Sequence, residues 1–252
     1  MNKIVLFAMA CFYAFSTAAF ETSHLPLADE VAKTFPKIKS KCYIVVVPEA
    51  GVVLTENNSQ HMIESGTFKE IYGGDERTTL HEMSARIIYS KRHYFESGMS
   101  GTGCAYKYKN VHGTIFTCVI YGEQSKEDAN NDIEKINKWL DQFYLYDAAP
   151  KKPLKIKVPV LYGTAEHINV QLHEKQLVIL SDNVSKRIEK VYRYRTITKA
   201  PIMKGAPMGY VLYYTGVFKN PITRKMYAKQ SVDKKIWYKC IYDSIKYLIF
   251  GA

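Results

Sequence analysis

The stretch Ala200-Pro201-Ile202-Met203-Lys204-Gly205-Ala206-Pro207-Met208-Gly209 decides how this chain reads. Proline fixes φ and removes a backbone donor, and glycine opens turns closed to other residues. Two of each within ten residues leave no room for a helix. The run Tyr210 to Val217 that follows is rich in aromatic and β-branched residues and reads as a strand. This punctuation specifies a β-rich module rather than an active site.

Working outward, short strands are expected at Leu154 to Val160, His167 to Leu172, Leu177 to Leu180 and Val191 to Ile197. Their close spacing predicts a small all-β, sandwich-like domain over 148–230. Ala148-Ala149-Pro150-Lys151-Lys152-Pro153 is the domain boundary. Beyond the β domain, 231–252 changes character. Trp237, Cys240, Ile241, Ile245, Leu248 and Ile249 share one helical face, and Lys235, Lys239, Tyr242 and Lys246 the other. Aromatic and branched residues opposite lysines describe a helix lying on an anionic membrane surface.

Upstream, 1–19 reads as a secretory signal. Lys3 precedes an apolar run, Ile4 to Phe15, too short to span a bilayer, and Ser16-Thr17-Ala18-Ala19 offers a small-residue cleavage site. Leu25 to Lys41 reads as a linker. Cys42 to Val47 and Val52 to Glu56 predict a hairpin around Pro48-Glu49-Ala50-Gly51. Thr78 to Tyr89 is expected to be helical, capped by Thr78 or Thr79, with Glu82 three residues after Thr79 as a capping-box partner. Gly98 to Gly103 reads as loop, Ile115 to Tyr121 as a buried strand and Asp128 to Phe143 as a second helix.

At 252 residues, 47% hydrophobic and 13% aromatic, the chain can build cores. Its formal net charge of +11 directs it toward anionic polymers or membranes. No nucleic-acid motif accompanies that charge. Loss of the leader removes Cys11 and leaves Cys42, Cys104, Cys118 and Cys240. An oxidising compartment permits a Cys104–Cys118 bridge between adjacent strands, and buried free thiols are the alternative. No cysteine spacing suits zinc, and His81-Glu82 lacks the second histidine of a metalloprotease helix, so no metal or cofactor is expected. Cys104 with His112 is a conceivable thiol and base, but without a third, orienting residue.

In order along the chain, these segments resemble the serine-type D-alanyl-D-alanine carboxypeptidases, the low-molecular-mass penicillin-binding proteins. The hairpin Cys42 to Glu56 resembles the family's opening strands. Gly73 to Met83 is similar to its Ser-Thr-Ala-x-Asp-Met helix start. Phe116 to Gly122 and the helix through Trp139 resemble the elements that close its catalytic domain. Ala200-Pro201-Ile202 with Lys204-Gly205 is the most specific match, to the family's C-terminal β domain. The resemblance implies an α/β remnant of a β-lactamase/transpeptidase-like domain over 20–147, then the β domain, then an amphipathic membrane anchor. It also implies a periplasmic location and peptidoglycan pentapeptide as substrate, or a periplasmic protein as partner.

Such enzymes carry Ser-x-x-Lys, Ser-x-Asn and Lys-Thr-Gly motifs. The serine attacks, the lysine one turn on accepts its proton, and the third motif lines a strand edge to hold substrate. Here the resemblance sets Gly66-Thr67-Phe68-Lys69 against the first motif, so Lys69 remains while glycine stands at the nucleophile position. Ser65, four residues before Lys69, shares its helix face and is the alternative nucleophile, displaced by about 100° around the helix. The second motif has no counterpart. The third falls on Gly101-Thr102-Gly103, with Thr102 and Gly103 as substrate contacts, or near Tyr94-Phe95-Glu96, and either choice lacks its lysine. The expectation is a pseudoenzyme: no carboxypeptidase activity and no acylation by β-lactams. The alternatives are a divergent enzyme using Ser65 and Lys69, or a non-catalytic scaffold at the membrane surface.

Overall fold

The computed structural model describes residues 23–64, 77–87, 91–97, 101–172, 175–184, 188–236, 239–241 and 244. The stretch expected to be a leader, and most of the segment expected to anchor the chain, lie outside them. The chain divides into two compact units, Met1–Phe143 and Tyr144–Ala252.

Among the described residues the first unit is built on a six-stranded sheet with a helix packed on each face. Its strands are β1 (Ser23–His24), β2 (Cys42–Val47), β3 (Val52–Asn57), β6 (His93–Ser97), β7 (Gly101–Lys109) and β8 (Ile115–Glu123), in the order β1-β3-β2-β8-β7-β6. Residues alternate between faces with period two. Ile44, Val119, Ala105 and Phe95 therefore line one face, where Leu80 and Met83 of helix α2 (Leu80–Arg86) are fully buried against them. Val45, Cys118 and Cys104 line the other. There helix α3 (Lys126–Leu140) buries Ala129, Ile133, Ile136 and Leu140. A short ladder of β4 (Met62–Glu64) with β5 (Arg77–Thr79) leads into α2.

The hairpin forms as read, through a 3-10 turn at Pro48–Ala50. The capping box also forms: Thr79 Oγ1 accepts from the Glu82 amide at 3.2 Å, and Glu82 Oε2 accepts from the Thr79 amide at 2.9 Å. Three expectations are corrected. The helix through Thr79 ends at Arg86, because Ile87 is extended. The segment read as a linker holds helix α1 (Asp29–Lys33), and it is pinned by aromatic packing. Phe35 stacks on Tyr43 with ring centroids 5.0 Å apart and meets Trp139 edge-on at 4.9 Å. Gly101-Thr102-Gly103 is not loop but the start of β7. Gly103 is required there by close approach, since a Cβ would lie 2.4 Å from Cζ of Phe95.

The second unit is a six-stranded sheet of order β13-β15-β16-β11-β10-β14. Its strands are β10 (Lys157–Leu161), β11 (His167–Gln171), β13 (Glu189–Tyr194), β14 (Thr198–Lys199), β15 (Pro207–Tyr214) and β16 (Ile222–Ala228). A two-stranded ladder joins β9 (Phe143–Asp147) to β12 (Leu177–Ser181). The expected second helix thus stops at Leu140, and Phe143 opens a strand. The inner face of the large sheet buries Val158, Ile168, Val170, Met226 and Ala228. The opening decapeptide turns as read: Ala206 N–H donates to Met203 at 3.0 Å around Gly205, and the Ala200-Pro201 peptide is cis.

The sequence reading passed over β16. Arg224-Lys225 interrupts its alternation, but Arg224 sits on the inner face and its guanidinium donates to the Leu177 carbonyl at 2.9 Å. Among the described residues no helix is long and apolar enough to cross a membrane.

Candidate functional site

Ser65, Gly66 and Lys69 lie outside the described residues. Thr102 and Gly103 lie on β7, between β8 and the end strand β6. Thr102 is buried and sits opposite Glu96, and Gly103 sits opposite Phe95. The strand at the sheet edge is therefore His93-Tyr94-Phe95-Glu96-Ser97, which contains no lysine. Phe95 points to the α2 face and stacks on Tyr121 with centroids 5.8 Å apart. Tyr94 points to the α3 side, where its hydroxyl donates to Asn130 Oδ1 and the Lys126 ammonium lies 5.9 Å from the ring centroid.

The Cys104 and Cys118 thiols are buried. Cys104 lies opposite Ile120, and Cys118 opposite Tyr106, so the two sulfurs are diagonal neighbours on one face. Diagonal positions are about 7–8 Å apart, beyond the reach of a disulfide, and both cysteines are free. Burial pushes each thiol up to about 12. His112 belongs to the turn after β7, at the far end of the strand from Cys104. That turn is a structural device. The Asn110 amide donates to the Leu140 and Phe143 carbonyls at 2.9 and 2.6 Å, and its oxygen accepts from the His112 and Thr114 amides.

A buried polar cluster escaped the sequence reading. Asp132, 0% exposed on α3, accepts from the Lys39 amide at 2.6 Å, the Ser40 amide at 2.8 Å and the Ser40 hydroxyl at 2.9 Å. Ser40 Oγ also contacts Oε1 of Glu123, which is 2% exposed at the end of β8. The other oxygen of Glu123, Oε2, has no hydrogen-bond partner among the described residues. One hydroxyl proton cannot serve two carboxylates. A protonated Glu123 resolves this by donating to Ser40, which then donates to Asp132. Burial holds the Glu123 carboxyl above its usual range and the neighbouring Asp132 and Asp128 carboxylates add to the rise, whereas a hydrogen bond donated by Ser40 to an ionised Glu123 would act the other way. The cluster is closed by Lys39, whose ammonium meets Asp128 at 2.6 Å and holds that carboxyl below its usual range. It ties the segment before β2 to β8 and α3. The signal for it was an aspartate inside the apolar stripe of a helix.

Among the described residues no group of three or more His, Cys, Asp or Glu side chains is placed to hold a metal ion.

No protein-family model matches the sequence, and no curated protein sequence matches it. The likeness lies in the fold. Penicillin-binding protein 5 from Haemophilus influenzae superposes with a TM-score of 0.62 at 10% identity, over 79% of this chain and 99% of that one. The fold is that of the penicillin-binding proteins. A second solved structure, a peptidoglycan synthesis regulatory factor (PBP3) from Streptococcus pneumoniae, superposes with a TM-score of 0.51 at 9% identity, over 79% of this chain and all of that one. At these identities the likeness speaks for the path of the backbone and not for any side chain.

Proposed function

We propose that the chain is an exported protein of the peptidoglycan surface, built on the D-Ala-D-Ala carboxypeptidase scaffold but without its catalysis. The observation that carries this reading is the first unit's sheet, of order β1-β3-β2-β8-β7-β6 with one helix on each face, in a chain whose fold is that of a penicillin-binding protein. The leader over 1–19 supports export to the periplasm, and the lysine-rich, aromatic segment after Asp233 supports attachment to the inner membrane's anionic surface.

The loss of catalysis rests on three features. Glycine at 66 has no oxygen with which to form an acyl-enzyme. The edge strand His93–Ser97 has no lysine to hold a substrate carboxylate. In the sequence only Glu70-Ile71-Tyr72 separate Lys69 from Gly73-Gly74, where the resemblance implies a long helical region bearing the second motif. Thr102 and Gly103, the remaining substrate contacts suggested by the resemblance, would act from the second strand rather than from the edge.

Labelling of the purified chain with a fluorescent penicillin tests the reading. The expected result is no covalent adduct. An adduct abolished by Ser65→Ala would establish the divergent enzyme, with Ser65 as nucleophile and Lys69 as its base. Attachment is tested separately: truncation before Asp233 should release the protein from membranes, and unchanged sedimentation with them would refute the anchor.

A further inference from the structure

The positive charge of this chain is confined to one of its two units. Residues 1–143 hold 15 Lys and Arg against 17 Asp and Glu, a net −2, whereas 144–252 hold 20 against 7, a net +13. The period-two alternation of the second unit's sheet, fixed by its register, sorts part of that charge to one side. Met226, Ala228 and Val211 point inward and are buried, so Lys225, Lys229 and Tyr210 point outward. Arg193, Tyr210 and Lys225 stand directly opposite one another on three neighbouring strands, each exposed, with successive Cβ atoms about 5 Å apart. Across the sheet on the same face, Lys157 stands opposite Asn169, whose carbonyl accepts from the Lys229 amide at 2.9 Å.

Two open grooves are built on these rows. One, of about 490 Å³, is lined by Arg193, Arg195 and Lys225 with Tyr194 and Tyr210, both 45% exposed. The other, of about 610 Å³, is lined by Lys151, Lys152, Lys155, Lys157 and Lys229 with the amides of Asn169 and Gln171. Neither groove is lined by a carboxylate, and none of these eight cations pairs with one among the described residues. Like charges gathered on one face, with no carboxylate between them, repel one another. A folded sheet gains nothing by gathering them on one face. Gly209 shows how closely this face is built: a Cβ there would lie 2.3 Å from the Arg193 carbonyl oxygen, so the strand bearing Arg193 is drawn tight against the strand bearing Tyr210.

We propose that this face binds an acidic glycan, its carboxylates paired with the groove cations and a sugar ring laid on Tyr210. A lipid surface would call for aliphatic side chains or tryptophans protruding between the cations, and here the exposed large side chains of the face are tyrosines. The amides of Asn169 and Gln171 offer both donors and acceptors to sugar hydroxyls. The choice of peptidoglycan as the natural glycan rests on the reading under Proposed function; the acidic-glycan chemistry of the face does not.

The test uses the full chain and two probes, soluble polygalacturonate and insoluble peptidoglycan, each also with its carboxylates amidated. Three variants are compared with the wild type: Arg193→Glu with Lys225→Glu, Lys157→Glu with Lys229→Glu, and Tyr210→Ser. All lie on the solvent face, and an unchanged circular dichroism melt confirms folding. The wild type should bind both probes with an affinity that falls steeply with salt, and amidation should abolish binding. Each double reversal should weaken binding at least about tenfold, and Tyr210→Ser about fivefold. Binding to polygalacturonate alone, lost in the variants, would uphold the face and overturn peptidoglycan as its ligand. Variants that bind both probes like the wild type, or binding to phosphatidylglycerol vesicles or oligothymidylate that is tighter than to either glycan and is weakened by the same charge reversals, would overturn the proposal.

Discussion

Replacement of Asp132 by alanine should be the most damaging single change in the first unit's polar network. Its carboxylate accepts three hydrogen bonds, at 2.6, 2.8 and 2.9 Å, from groups on the segment before β2. Hydrogen bonds to a charged acceptor contribute roughly 1.5 kcal/mol each or more. Removing one member of a buried, hydrogen-bonded charge network costs about 3–5 kcal/mol. Relief of the carboxylate's own burial cost offsets part of this, so the loss expected is about 3 kcal/mol, which in a unit of this size lowers Tm by roughly 10 °C. Asp132→Asn keeps one acceptor oxygen and should lose about a third as much. Glu134→Ala, on the exposed side of the same helix, controls for helix propensity and should stay within about 0.5 kcal/mol of wild type. Trp139, buried on that helix, reports unfolding of the first unit by fluorescence in a Trp237→Phe background. If Asp132→Ala and Glu134→Ala melt together, the cluster contributes nothing and the reasoning fails.

The same cluster sets a pH dependence. Because burial raises the Glu123 pKa in the folded state, the folded chain holds a proton that the unfolded chain releases. That contribution is complete below the unfolded value, about 4.3, and is lost as pH rises through the folded one. The stability of wild type relative to Glu123→Gln should therefore decline from pH 4 toward neutrality in urea titrations, and a constant or rising difference would sink the protonated-Glu123 arrangement. Gly103→Ala should cost about 1–3 kcal/mol through overpacking, because the new Cβ meets the Phe95 ring at 2.4 Å and the Ile120 carbonyl oxygen at 2.9 Å. Adding Phe95→Leu should recover part of it, and a wild-type melt for the single variant would contradict the contact.

What could be read from the sequence was what local chemistry determines. Val45-Val46-Val47, then Pro48 and Gly51, then Val52-Val53-Leu54, make a hairpin before any tertiary contact is considered. Thr79 and Glu82 make a capping box for the same reason. The misreadings came where a distant residue decides. Gly101-Thr102-Gly103 has the composition of a loop, and only the ring of Phe95 from the next strand makes glycine the residue a strand needs. Arg224 hides β16 because its partner carbonyl, Leu177, is 47 residues away. Ser40 and Asp132 are 92 residues apart, so neither announces the other, although an aspartate in the apolar stripe of α3 was visible as an anomaly. At the proposed glycan-binding face the totals were legible and the placement was not. The net +11 was plain, but its segregation appears only once the unit boundary and the strand register are known.

The proposed pairing of a penicillin-binding-protein fold with no catalysis would have a physical basis. A sheet is specified by redundant, exchangeable elements: period-two apolar positions, a cap, a few turns. Volume-conserving exchanges at such positions cost little, so a backbone path like that of penicillin-binding protein 5 from Haemophilus influenzae is compatible with 10% identity. A nucleophile has no such redundancy, because one oxygen must stand within a fraction of an ångström of its place. Scaffold and chemistry therefore part company readily, and a fold by itself does not vouch for an activity. The same logic points to the second unit. Its core needs Val158, Ile168 and Met226 on the inner face, and any soluble residue would serve outside them. That the outside carries Arg193, Lys225, Lys157 and Lys229, with no carboxylate lining either groove, is what folding leaves unexplained and an anionic ligand explains.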